Sequence, residues 1–255
     1  PDVTFQTTDA QGDAAKQATD IEDLMASGVD LIMVSPLSTD GLTDVVQSAM
    51  DAGIPVVTMD RTVDCDVTCK VIGDNYGMGV AAADKLAEML DSKGKIVEIC
   101  GTTGASATID RQAGFEDTLK EKYPDMEVID WQDCNYTAAE AATYMEDMLQ
   151  KYGEGEIQAI YAHNDQMALA AAETLAAAGR DKEGILICGM DGEEAAFKMV
   201  EDGSMAFTII YPTMAPEGII AAHNILTGEE QEAEVVCEST LVDADNVADY
   251  IGKGL

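Results

Sequence analysis

The chain has 255 residues, 47% apolar and only 5% aromatic, which is enough for a real core in one large or two smaller domains and rules out a disordered tail. Its 49 acidic residues against 14 basic ones leave a net charge of −35, which repels a phosphate backbone or an acidic lipid surface and so argues against nucleic-acid binding. No apolar run approaches the length of a membrane span.

Apolar runs alternate with helix-like segments along the chain. Val3-Thr4-Phe5 predicts a strand, and residues 14–26 a helix closed by Gly28 in the left-handed conformation. Leu31-Ile32-Met33-Val34 is a continuous apolar run, the pattern of a strand buried on both faces. Residues 42–52 predict a helix ended by Gly53, and Ile54-Pro55-Val56-Val57-Thr58 a strand running to Met59. A second series begins at Val71-Ile72. It alternates helix 77–90, strand 96–99, helix 111–122, strand 126–129, helix 138–152, a strand at Ile157, helix 166–178, a strand at Ile185, helix 193–201 and strand 205–211. A helix over 216–226, the run Val235-Val236-Cys237 and a short helix near Asn246 complete the chain.

Repeated strand–helix units mean parallel sheets with helices on both faces, and the strand count is high for one sheet. The expectation is an α/β protein of two Rossmann-like lobes. Three strands end in polar clusters: Met59-Asp60-Arg61, Ala162-His163-Asn164-Asp165 and Met190-Asp191-Gly192. In an open α/β sheet, ligands bind outside the carboxyl ends of the strands. Asp, Asn and Arg grip hydroxyls through directional hydrogen bonds, so the clusters point to a small polar ligand.

Of the six cysteines, Cys100 and Cys188 lie in apolar runs and read as buried thiols. Cys65 and Cys69 sit close together in a polar stretch, where a local disulfide or free thiols are favoured over a metal site. Zinc wants a second close pair or partnering histidines, and the only histidines are His163 and His223. No metal and no cofactor is expected.

Several stretches together resemble the sugar-binding proteins of bacterial ABC transporters, of the ribose and galactose type, whose fold is shared with the effector-binding core of lactose-repressor-type regulators. They are residues 53–61, Ile72-Gly73-Asp74-Asn75, residues 104–115, residues 161–168 and Gly189-Met190-Asp191-Gly192. The resemblance implies a type I periplasmic binding protein fold, with three crossings joining the lobes and a sugar trapped between them on closure. It divides the chain into residues 1–73 plus 212–238 and residues 74–211 plus 239–255. It implies Asp60 and Arg61 as ligand-binding residues of the first lobe, and Arg111, Tyr136, Asn164 and Asp191 of the second. Tyr211 falls where ribose receptors carry glutamine, which argues for a sugar other than ribose. The stretch from Gly104 to Arg111 is closer to galactofuranose receptors. Relatives also carry a strand and helix ahead of the segment matching Val3-Thr4-Phe5, so the first strand and helix are expected to be missing. The implied partners are a small sugar and a membrane permease. The implied state is a monomer, periplasmic or extracellular, with any lipid anchor on residues outside this chain. The chain opens at Pro1, with no signal peptide, and reads as a processed product.

Each residue also has a plainer reading. Asp60 and Arg61 are adjacent and would suit a surface ion pair. Asn164 and Asp165 are both good helix caps; the expected division is that Asp165 caps while Asn164 reaches the sugar. Arg111 opens its predicted helix, where a cation opposes the macrodipole, so hydroxyl binding or a pair with Asp110 is needed to account for it. Trp131 and Tyr136 offer stacking faces, with Trp131 the better fit to packing between helix and sheet. His163 reads as neutral, with no nucleophile motif beside it. Gly77-Met78-Gly79 imitates a dinucleotide fingerprint with Glu98 downstream, but reads better as a helix start packed on the sheet. Gly101-Thr102-Thr103-Gly104 lacks the lysine of a phosphate loop. The alternatives are a sugar-active enzyme, with a carboxylate pair, and a regulator core, which would need a DNA-binding headpiece that is absent here.

Overall fold

The protein is described by a computed structural model covering residues 3–255. Its described residues form two compact units. The first holds the chain up to Gly73, Gly104–Ser106 and Thr213–Cys237; the second holds Asp74–Thr103, Ala107–Pro212 and Glu238–Leu255.

The first unit is a four-stranded parallel sheet with strand order β1-β2-β3-β9. These strands are β1 (Ile32–Val34), β2 (Val56–Met59), β3 (Cys69–Gly73) and β9 (Glu234–Cys237). Helices α1 (Ala14–Ser27), α2 (Thr39–Asp51) and α8 (Ala215–Thr227) pack with it. Asp13 caps α1 by accepting the Ala15 and Lys16 N–H groups, and Gly28 ends it at φ 78°. Ile21, Ile32, Leu42, Val46, Ala49 and Val56 form the core.

Val3-Thr4-Phe5 is not a strand. It lies exposed before α1 and pairs with nothing among the described residues. A three-residue extended run has no stability without a neighbour for its N–H and C=O groups. Cys69 opens β3 and is buried, bonded by the Gln231 amide, while Cys65 faces the Thr43 carbonyl. Both thiols are free, the second of the two readings the sequence offered.

The second unit is a six-stranded sheet with strand order β10-β8-β7-β6-β4-β5. Its strands are β4 (Gly94–Cys100), β5 (Met126–Asp133), β6 (Ala159–Ala162), β7 (Leu186–Asp191), β8 (Phe207–Ile210) and β10 (Thr240–Asp243). All neighbours are parallel except β10, an unforeseen strand that runs antiparallel along β8. The helices are α3 (Asn75–Met89), α4 (Ser106–Lys122), α5 (Ala138–Lys151), α6 (Asp165–Ala177) and α7 (Glu194–Glu201).

Because strand side chains alternate in direction, the sheet buries both faces. Val97, Ile99 and Ile160 join Met145, Met167 and Phe197 in one core. Ile96, Ala159 and Tyr161 join Met78, Leu86 and Phe115 in the other. Trp131 belongs to neither; β5 is an edge strand and Trp131 is 52% exposed, not packed between helix and sheet.

Gly79 of α3 and Gly114 of α4 serve a helix–helix contact rather than packing on the sheet. A Cβ on Gly79 would lie 2.3 Å from the Arg111 carbonyl oxygen, and one on Gly114 would lie 2.1 Å from that of Tyr76. Only glycine lets the backbones of α3 and α4 approach this closely.

Candidate ligand-binding site

In the second unit the site is organised around Arg111. Helix α4 begins at Ser106, five residues before Arg111, so the arginine sits in the second turn rather than at the helix start. The macrodipole acts mainly on the first turn, and the expected conflict with it is largely removed. Nor is Arg111 paired with Asp110. Its Nε donates to Asn75 Oδ1 at 2.8 Å, and Nη1 donates to the His163 carbonyl. The guanidinium lies 4.6 Å from the centroid of the Tyr211 ring and 5.9 Å from that of Tyr136, both within cation–π range. Burial works against the charge, but the Tyr136 and Tyr211 phenols and the Asp191 carboxylate outweigh it and raise the pKa of Arg111. Arg111 is therefore a fixed, buried cation with a carboxylate in its field.

The residues around it are placed by strand and helix ends. Asn75 starts α3 beside the cap Asp74, which accepts the Gly77 N–H, and Asn75 Nδ2 donates to the Tyr211 hydroxyl at 3.3 Å. Tyr136 sits in a left-handed turn with Asn135, at φ 58° and 51°. Its hydroxyl is 2.9 Å from Thr108 Oγ1. Its ring lies over Gly101, where a Cβ would come within 2.0 Å of the ring. Tyr211 follows β8, and its N–H donates to the Asp191 carbonyl at 3.1 Å. Asp191 ends β7 at φ 129°, a conformation side chains rarely adopt, and Gly192 follows at φ 81°.

The cap of α6 is Asn164, not Asp165 as expected. Asn164 Oδ1 accepts the Met167 N–H at 3.0 Å and caps α6, and its Nδ2 donates to the Tyr136 carbonyl at 3.3 Å. Asp165 is fully buried and accepts hydrogen bonds from Gly192, Glu193 and Thr208 instead.

In the first unit, Asp60 and Arg61 follow β2. Asp60 has φ 67°, and the Arg61 N–H donates to the Met59 carbonyl at 2.7 Å, a tight turn that breaks the strand alternation. Arg61 Nε lies 3.6 Å from Asp60 Oδ2, and its Nη1 donates to the Leu37 carbonyl at 3.1 Å. Ser35 Oγ is 3.5 Å from the same Asp60 oxygen.

Sequence reasoning did not single out Asn75 and Thr108, which the structure bonds to the candidate residues Arg111, Tyr211 and Tyr136. It also missed what lies beneath His163. Its Nδ1 accepts the Gly101 N–H at 3.3 Å, which puts the proton on Nε2, and Nε2 donates to Glu98 Oε1 at 2.9 Å. Burial, then the Arg111 charge, pushes His163 down to about 3; burial pushes Glu98 up to about 8, against the Gln112 amide and the Cys100 thiol. Both groups are neutral at neutral pH, so this is a hydrogen bond rather than an ion pair. Glu98, Cys100 and His163 form one group of potential metal ligands, with their ligand atoms within 4.8 Å of one another. Both ring nitrogens of His163 are already engaged by protein partners.

The periplasmic binding protein domain family matches residues 1–230. The ribose import binding protein RbsB of Bacillus subtilis (strain 168) is 35% identical over 233 residues, 89% of this chain and 73% of its own length. Among solved structures, the fructose-binding periplasmic domain of a hybrid two-component system superposes with TM-score 0.92 at 32% identity, covering 98% of this chain and 83% of that one. The binding protein of the arabinose ABC transporter from Shewanella sp. ANA-3, bound to α- and β-L-arabinofuranose, superposes with TM-score 0.90 at 28% identity, covering 96% and 83%. The chain belongs to the periplasmic binding protein family.

Proposed function

We propose that the chain is a sugar-binding protein of an ABC transporter. It captures a pentose or hexose, furanose forms included, and delivers it to a membrane permease. The observation that carries this reading is the Arg111 cluster: a buried cation fixed by Asn75 and the His163 carbonyl, flanked by Tyr136 and Tyr211 and balanced by Asp191. A cation balanced by a carboxylate suits a neutral polyol better than an anion, since it offers donors and acceptors together.

Arg111, Tyr136, Asn164, Asp191 and Tyr211 contact the sugar from the second unit, and Asp60 and Arg61 from the first. The relatives' ligands, ribose and L-arabinofuranose, support this substrate class. Binding proceeds without chemistry: Asp, Asn and Arg read the hydroxyls, and a sugar lacking one leaves buried groups unpaired. The protein works outside the cytoplasm, as its family does, as a monomer, and a lipid anchor on residues outside this chain fits that setting. Likeness to a two-component sensor domain favours sugar sensing as a second reading.

Thermal melting against a panel of pentoses, hexoses and furanose sugars tests this. A bound sugar at about 100 times its Kd should raise the midpoint by roughly 5–10 °C. A cooperative melt that no sugar shifts would refute the substrate class.

A further inference from the structure

Asp165 is a carboxylate with no role in helix capping, yet it is fully buried and completely engaged. Its Oδ2 accepts the N–H groups of Gly192 and Glu193, each at 2.8 Å, and its Oδ1 accepts the Thr208 hydroxyl at 2.7 Å. One side chain thus ties the start of α6 to β8 and to the turn between β7 and α7. Two features of the chain are arranged around it. A Cβ on Gly189 of β7 would fall 2.4 Å from Asp165 Oδ1, so the strand keeps a glycine where the carboxylate crosses it. Glu193, the cap residue of α7, makes no side-chain cap bond, and its own N–H is accepted from across the sheet by Asp165.

The turn it grips contains Asp191, at φ 129°, and Gly192, at φ 81°. A backbone in these regions persists only where its surroundings hold it. We infer that Asp165 is the positioning residue of the sugar site: it does not touch the ligand but clamps the Gly192 and Glu193 amides, fixing the direction of the Asp191 carboxylate. This rests on the reading of Asp191 as a sugar ligand. It assigns to Asp165 a specificity role through the turn, not a contact.

The test combines a double-mutant cycle with amide hydrogen exchange. Sugar affinity is measured for the wild type, Asp165→Ala, Asp191→Ala and the double variant. Asp165→Ala strands the Gly192 and Glu193 amides and should weaken binding roughly 10- to 100-fold. In the Asp191→Ala background the same change should cost almost nothing, because the residue it acts through is gone. A purely structural role would instead give additive losses, and that outcome overturns the inference, as does a folded Asp165→Ala protein with wild-type affinity. If Asp165→Ala fails to fold, Asp165→Asn keeps one oxygen for the two amides and replaces it in the cycle. It should show a smaller loss that again vanishes without Asp191. If the wild type binds no sugar, the functional reading fails, and exchange at Gly192 and Glu193 still decides the clamp. Those amides should be protected in the wild type and exchange faster in the variant, while the sheet stays protected. Unchanged protection there refutes the clamp.

Discussion

Asn75 Oδ1 sits 2.8 Å from Arg111 Nε, and the same amide donates to the Tyr211 hydroxyl, so one buried asparagine sets both the cation and the ring above it. Asn75→Ala should therefore weaken sugar binding by about 1–3 kcal/mol while leaving a cooperative melt, since it leaves a buried Arg nitrogen without its acceptor. Calorimetric titration beside a denaturation curve checks this. A folded variant with wild-type affinity would remove Asn75 from the site.

Tyr211 offers two separable contributions. Tyr211→Phe keeps the ring 4.6 Å from the Arg111 guanidinium and loses only the hydroxyl that accepts from Asn75. The expected cost is about 1 kcal/mol of binding. Tyr211→Ala should cost clearly more. Equal losses in the two variants would mean that the ring contributes nothing.

The buried pair makes stability depend on pH. Glu98 holds its proton in the native state up to about pH 8, against an ordinary value of 4.5, so its contribution is complete below 4.5 and is lost as pH rises through 8. His163 behaves oppositely: with a native pKa of about 3 against 6.5, its contribution is complete above 6.5 and is lost as pH falls toward 3. The melting midpoint should fall between pH 6.5 and 8, and Glu98→Gln, which keeps an acceptor for His163 Nε2, should flatten that fall. An unchanged slope in this variant would show that Glu98 is ionised in the native protein.

Gly79→Ala places a methyl group 2.3 Å from the backbone carbonyl of Arg111, an atom that cannot rotate away. Helices α3 and α4 must separate, and the expected destabilisation is about 1–3 kcal/mol. Because α3 carries Asn75 and α4 carries Arg111, affinity should fall with stability. Urea curves and binding isotherms on the same variant would show whether the two move together.

Much of the architecture was legible because parallel strands buried on both faces print as unbroken apolar runs. Residues 31–34 and 185–188 are of this kind, and glycines such as Gly28 and Gly53 mark where helices stop. Strand β10 was not legible, because an antiparallel edge strand of four residues carries no such run. Arg111 and Tyr136 could be named from the resemblance, but not what holds them. Asn75 read as part of a helix start, and only the close approach of α3 and α4 brings it to Arg111. Glu98 did leave a signal: a carboxylate inside a doubly buried strand demands a partner, and a lone histidine at the end of the neighbouring strand was available. That Asn164 rather than Asp165 caps α6 left none, since either side chain makes a good cap.

Trp131, the one tryptophan in the chain, stands half in water on the outer strand of its sheet. Its indole is already hydrated in the folded protein, so its emission should lie to the red before any denaturant is added and move little on unfolding. A fluorescence melt would record almost no transition in a protein that unfolds cooperatively. Calorimetry or far-ultraviolet circular dichroism reports on the backbone instead, and a tryptophan placed at the buried Phe115, against Tyr161, would give the core an optical probe of its own.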